Sequence, residues 1–211
     1  MGILVNFSIY GLMIIPLAAL VKGHGISLGH LIKLGLVMVA VQLAQSTIAT
    51  AVPPDMVAAQ VAVHGALLPL LTVAFCSFVL TDGKASKVMR LHECGCDDVG
   101  AAVATLWCLT YTVLFRWFPW YHTMASRGFE PSNLLAGGDA FLTLLTTLAM
   151  CRSFASGKPG AAATAVGVHV VGAVVGAAVG QPIAGAALTA VLESGAAKLV
   201  FAPPTTEKKE D

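Results

Sequence analysis

FRWFPWYHTMASRGFEP, residues 115–131, gathers aromatic rings, two arginines, a glutamate and two prolines into one short stretch, in a chain whose flanking residues are almost wholly apolar. Such a stretch has three readings: the lip of an active site, a recognition loop, or the place where a membrane helix meets water. Composition decides what surrounds it. Of the 211 residues, 57% are hydrophobic and 11% charged, whereas soluble domains carry about a quarter charged residues. A chain of this composition is suited to lipid. Its formal charge of +1 offers no basic excess for nucleic acid, and no direct nucleic-acid contact is expected. The five cysteines are odd in number and sit mostly within or beside apolar runs, which is not the pattern of a disulfide framework.

Working outward from 115–131, apolar stretches near the roughly 20 residues that cross a bilayer recur at about 3–21, 31–52, 57–80, 99–118, 133–151, 161–180 and 183–201. The expected fold is all-α: a polytopic seven-transmembrane-helix bundle over 1–201, followed by a flexible cytosolic tail at 202–211 with no apolar residue run to bury. No basic residue precedes the first apolar run, so it is expected to remain as a span rather than be removed as a signal peptide. Pro53-Pro54 and Gln181-Pro182 read as tight turns, because proline ends a helix and biases the residue before it away from helical angles. The second and third spans, and the sixth and seventh, are therefore expected to pair as antiparallel hairpins.

Charge orients the bundle. With the N-terminus lumenal and the C-terminus cytosolic, ten lysines and arginines from Lys22 to Lys209 fall on the cytosolic side, and Arg116 and Arg127 on the other. The sequon Asn6-Phe7-Ser8 is lumenal but inside the first span, too deep for glycosylation. Residues 115–131 then form the largest outer loop, with Trp117, Trp120 and Tyr121 at the headgroup layer, where rings with one polar edge are favoured. Gly128 followed by Glu130-Pro131 reads as a turn that opens the next helix. The same loop also carries both outer arginines, which suit recognition of carboxylates on a partner's ectodomain.

Polar residues within the spans invite a functional reading. Asp139 follows Gly137-Gly138, and a charge at that depth costs about 2.5–3.5 kcal/mol unless paired or protonated. Its candidate partners are Arg116, Arg127, Thr110 and Thr112. Glu193 has His169 or Gln45 as candidate partners, and Gln42 is a further intramembrane polar residue. A proton path through Asp139, His64, His169 and Glu193 is the transport alternative. Gly172, Gly176 and Gly180 recur every fourth residue and give one smooth helical face, for packing inside the bundle or against a partner's helix. HECGCDD, 92–98, crowds His92, Cys94 and Cys96 but lacks the second ligand pair of a structural zinc site, so it reads as a solvated loop whose Asp97 and Asp98 cap the next helix. Cys94 and Cys96 are placed for palmitoylation. No H-E-x-x-H, G-x-S-x-G or nucleotide-binding loop is present, which leaves an intramembrane hydrolase as the weaker alternative. No cofactor or metal is expected.

Arg116, Pro119, Trp120, Arg127, Gly128, Glu130 and Asp139 together resemble the corresponding region of the transmembrane protein 147 family. VQLAQSTIATAVP, 41–53, resembles the end of that family's second helix, with Gln42 and Pro53 matching, and FVLTDGKASKVM, 78–89, resembles its basic third loop. The likeness covers roughly 24–152; the Ala/Gly/Val-rich sixth and seventh spans are similar in topology alone. The resemblance implies a fold like that of the anterior-pharynx-defective subunit of gamma-secretase. It also implies a non-catalytic scaffold of the endoplasmic reticulum membrane that binds nicalin-like and nodal modulator-like proteins in the BOS complex. Through them it would associate with the ribosome-bound Sec translocon during biogenesis of multi-pass membrane proteins. Carried onto this chain, the lumenal contact residues are Arg116, Trp117, Pro119, Trp120, Arg127 and Glu130.

Overall fold

The computed structural model describes residues 2–25, 27–53, 55–88, 91, 99–117, 128–157 and 160–201. These residues form helices and connecting turns and contain no strand. In chain order they are α1 (Gly2–Gly23), α2 (Leu28–Thr50), α3 (Val57–Ala62), a π-helical segment (Val63–Leu67) and α4 (Leu68–Thr81). There follow α5 (Gly83–Val88), α6 (Val99–Tyr111), a second π-helical segment (Thr112–Trp117), α7 (Pro131–Ala155), α8 (Ala161–Val179) and α9 (Pro182–Phe201). Six helices among the described residues are long and apolar enough to cross a membrane, so the chain is a multi-pass helical membrane protein by length and composition. The seventh expected span, 183–201, is helical as α9 but is not one of the six.

α6 is the axis of the bundle. Every residue from Gly100 to Cys108 is buried, and small side chains there allow α7 to approach closely. A Cβ on Gly100 would lie 2.8 Å from the carbonyl oxygen of Cys151 on α7, so this crossing requires glycine. α1 packs on both α6 and α7, and the cluster of Leu17, Met38, Val79, Val103, Leu106 and Met150 binds α1, α2, α4, α6 and α7 into one core. Lipid replaces water as the outer solvent, so the exposed Leu4, Leu12, Ile15, Leu36 and Phe141 are ordinary lipid-facing positions.

The α8–α9 hairpin forms as expected. Gly172 and Gly176 meet Gly185 of α9: a Cβ on Gly172 would lie 2.9 Å from the Gly185 carbonyl oxygen, and one on Gly176 would lie 3.3 Å from the Gly185 Cα. The smooth face is thus turned inward, against this chain's own helix. Gly180 is a correction, because it packs against nothing. It sits past the end of α8 with φ 69°, a left-handed conformation that glycine adopts without steric cost, while Gln181 N–H donates to Gly176 O at 3.0 Å.

The second expected hairpin is looser. The turn after α2 closes as read from its prolines, with Gln60 Nε2 donating to Val52 O at 2.9 Å, yet α2 makes few contacts with α4 or with the first π segment. Between them lies a cavity. The basic stretch 83–88, read as part of a loop, forms the short helix α5, capped where Asp82 Oδ1 accepts from the N–H groups of Lys84 and Ala85, both at 2.8 Å.

Candidate functional site

A cavity of about 430 Å³ occupies the half of the bundle next to the α2–α3 and α8–α9 turns. Every long helix except α1 contributes to it: Gln42, Gln45 and Ser46 from α2, His64 from the first π segment, and Leu68 and Thr72 from α4. Trp107, Tyr111, Phe115 and Arg116 come from α6 and the second π segment, Asp139, Thr143, Thr146 and Thr147 from α7, His169 from α8, and Ala186 and Thr189 from α9. Gln42 lies eight residues before the end of α2 and Asp139 eight after the start of α7, which puts both about 12 Å along their helices from the same side.

Both π segments border this cavity. A π turn inserts one residue into the α-helical register and rotates the side chains that follow by roughly 100°. In the second segment the rotation turns Arg116 inward: its Nη2 bonds to Asp139 Oδ2 and donates to Thr143 Oγ1 at 3.2 Å, and its Cζ stands 5.1 Å from the centre of the Tyr111 ring. Among the described residues considered as partners for Asp139, Arg116 binds it. Thr110 bonds within its own helix, to Leu106 O at 3.1 Å and Trp107 O at 2.9 Å, and Arg127 lies outside the described residues. Arg116 therefore faces a carboxylate of this chain, with its own side chain 11% exposed.

Gln42 is fully buried, and its Nε2 donates to Trp107 O at 3.0 Å. Because a carbonyl oxygen can only accept, this bond fixes which end of the amide points where. The other end, Oε1, is buried without a hydrogen-bond partner among the described residues. Gln45 Nε2 likewise donates to Leu68 O at 3.1 Å and to Thr72 Oγ1 at 2.8 Å. His169 Nδ1 bonds Ala165 O at 2.8 Å, so in the neutral ring Nε2 is an acceptor.

The pairing expected for Glu193 is a correction. His169 and Gln45 have the partners just named, and Glu193 Oε2 is buried with no hydrogen bond among the described residues. Glu193 does not line the cavity, so the proposed path through His64, His169, Asp139 and Glu193 is interrupted at its last member.

Sequence reasoning missed what holds the end of the bundle where α7 begins. Asn6, fully buried in α1, donates from Nδ2 to Gly128 O at 3.0 Å and accepts at Oδ1 from Glu130 N–H at 3.4 Å. One turn along, Tyr10 donates to Asn133 Oδ1 at 3.1 Å. The signal was an asparagine in an apolar helix, read as part of a sequon. Glu130 precedes Pro131, the first residue of α7, as the turn-then-helix reading expects. Trp117 ends the second π segment; Pro119, Trp120, Tyr121, Arg127, the HECGCDD stretch at 92–98 and the tail at 202–211 lie outside the described residues. Comparison with protein-family models, with curated proteins and with solved structures finds no match to this chain.

Proposed function

We propose that this chain is a non-catalytic scaffold subunit of the endoplasmic reticulum membrane, crossing it seven times with its N-terminus lumenal and its C-terminus cytosolic. Its partners in this reading are nicalin-like and nodal modulator-like membrane proteins, and through them the ribosome-bound Sec translocon during multi-pass membrane protein biogenesis. The partner identities rest on the resemblance of 24–152 to the transmembrane protein 147 family.

The observation that carries the reading is the way both ends of the outer loop are fastened. At one end Arg116 is held by Asp139 and Thr143; at the other Gly128 and Glu130 are held by Asn6. A segment fixed at both ends loses less conformational freedom when something binds it, which favours recognition. The same bonds argue against catalysis by Asp139, since its carboxylate is committed to a cation and no second carboxylate lines the cavity among the described residues. The test is purification of the tagged chain in mild detergent followed by mass spectrometry, with Arg127→Glu and Trp120→Ala combined in a second sample. Recovery of a large-ectodomain partner that falls in the double variant supports the reading. Recovery unchanged by the substitutions removes the loop from the interface, and no partner at all removes the scaffold.

The cavity favours a second reading, ion or proton transfer, because it brings Gln42, Gln45, His64, Arg116, Asp139 and His169 to one space. That reading requires flux into reconstituted vesicles that falls with Asp139→Asn; vesicles indistinguishable from protein-free ones exclude it.

A further inference from the structure

The cavity holds unspent groups of both signs. On the accepting side is Asp139: Arg116 bonds to its Oδ2, whereas Oδ1 has no hydrogen bond among the described residues and the side chain is 44% exposed. On the donating side, both bonds of Arg116 leave from Nη2, so the N–H groups of Nη1 and Nε are unused among the described residues. Ser46, Tyr111 and Thr146 line the same space, and their hydroxyls have no hydrogen bond among the described residues either. Along α2 the cavity runs from Gln42 to Ala49, about 10 Å, and Ala49 is one residue short of the helix end, so the space extends toward the end of the bundle at the α2–α3 turn.

Charge selects the class of ligand. Arg116 and Asp139 neutralise one another, so a lone cation or a lone anion would bring an uncompensated charge among the apolar walls formed by Leu68, Pro69, Phe115 and Leu142. A molecule that carries both signs adds no net charge and has one end for each half of the pair. The aromatic rings narrow its cationic end. Arg116 already occupies the face of Tyr111 at 5.1 Å, Tyr111 packs on Phe115 with ring centres 5.0 Å apart, and Trp107 packs on Phe75 at 5.2 Å, so the rings are not arranged as a cage for a quaternary ammonium. A carboxylate oxygen that lacks a donor calls instead for an ammonium with N–H groups. The volume of about 430 Å³ is within the roughly 300–1,000 Å³ of small-molecule sites. Water satisfies the polar groups but leaves the apolar walls uncovered.

From this we propose that the cavity binds a zwitterion bearing a primary ammonium group, the ammonium donating to Asp139 Oδ1 and the anionic group accepting from Arg116 and the cavity hydroxyls. Two sources share that chemistry: the headgroup of phosphatidylethanolamine, drawn in from the membrane surface, and a free α-amino acid, entering from water. The site goes beyond the scaffold reading and stands without it, since it requires no partner protein.

The test uses the full chain in phosphatidylcholine nanodiscs. Separate samples receive diazirine-bearing phosphatidylethanolamine, phosphatidylcholine or phosphatidic acid in the bilayer, or diazirine-bearing leucine in the buffer. Labelled peptides are mapped after photolysis, with the same unlabelled compound in excess as competitor. Saturable labelling of α2, the second π segment or α7 around the cavity is expected from phosphatidylethanolamine, from leucine or from both, and the pattern shows which source supplies the zwitterion. Asp139→Asn should lower that labelling at least about tenfold, the loss of one hydrogen bond to a charged group. Because Asp139 also holds Arg116, a second variant combines Ser46→Ala, Tyr111→Phe and Thr146→Val. It deletes hydroxyls that bond to nothing among the described residues, keeps the ring beside Arg116, and should lower the labelling at least about fivefold. Elution volume and melting temperature are recorded for both variants. Absence of saturable labelling by either zwitterion overturns the proposal. So does undiminished labelling in either variant that keeps its fold, or labelling by phosphatidylcholine or phosphatidic acid as strong as by the primary ammonium probes.

Discussion

Gly185→Ala tests whether the α8–α9 contact is as close as the structure draws it. A Cβ on Gly185 would lie 3.0 Å from the Gly176 Cα and would collide with the Gly172 carbonyl oxygen; both are backbone atoms, so no rotamer change relieves the overlap. Ordinary van der Waals contact begins near 3.4 Å, so the two helices must part by roughly 0.5–1 Å, a gap that forfeits about a quarter to a half of each dispersion contact across the seam. Overpacking of this kind costs about 1–3 kcal/mol. Replacing a helical glycine by alanine also gains up to about 1 kcal/mol of helix preference, which would blur the result in a single variant. Gly195 removes that ambiguity, because it lies on the same helix and a Cβ there meets nothing within 4 Å. Subtracting Gly195→Ala from Gly185→Ala cancels the helix preference and isolates the packing. Reversible unfolding in mixed dodecyl maltoside and dodecyl sulfate, followed by circular dichroism, should place Gly185→Ala about 1–3 kcal/mol below Gly195→Ala. If the two variants unfold within about 0.5 kcal/mol of one another, the close approach is wrong.

Two further outcomes follow from the same structure. A double-mutant cycle on Arg116→Met and Asp139→Asn, read by the same unfolding assay, should give a coupling of about 1–2 kcal/mol; a fully buried pair would give more, but the Asp139 side chain is 44% exposed, and zero coupling would mean the two side chains do not meet. Epitope tags placed at the two ends of the chain should be protected from protease on opposite sides of sealed vesicles if α9 crosses the membrane; tags digested together imply an even number of crossings.

The spans were legible in the sequence because a bilayer imposes a length and an apolar composition that no local preference can imitate. The stretches read at 3–21, 133–151 and 161–180 correspond to α1, α7 and α8 within a few residues. The Arg116–Asp139 pair was legible as well, as one of several pairings, since a carboxylate at that depth demands a partner. What stayed hidden depended on rotation about helix axes. The two π segments carry no compositional mark, and they set which way His64 and Arg116 face. Glu193 has His169 and Gln45 as candidate partners in the sequence, whereas in the structure those side chains bond to the carbonyl oxygens of Ala165 and Leu68. Asn6 was missed for the opposite reason: a familiar tripeptide drew attention from its position, which is where the chain returns before α7.

That position carries a chemical corollary. The atom through which an asparagine accepts a glycan is its side-chain nitrogen, and in the folded protein the Asn6 nitrogen is buried against Gly128 O. Sugar attachment and docking of α1 compete for a single atom. A glycosylated chain would therefore be one whose first helix never reached its place, and the mass of the chain on a gel would separate the folded molecules from the failed ones.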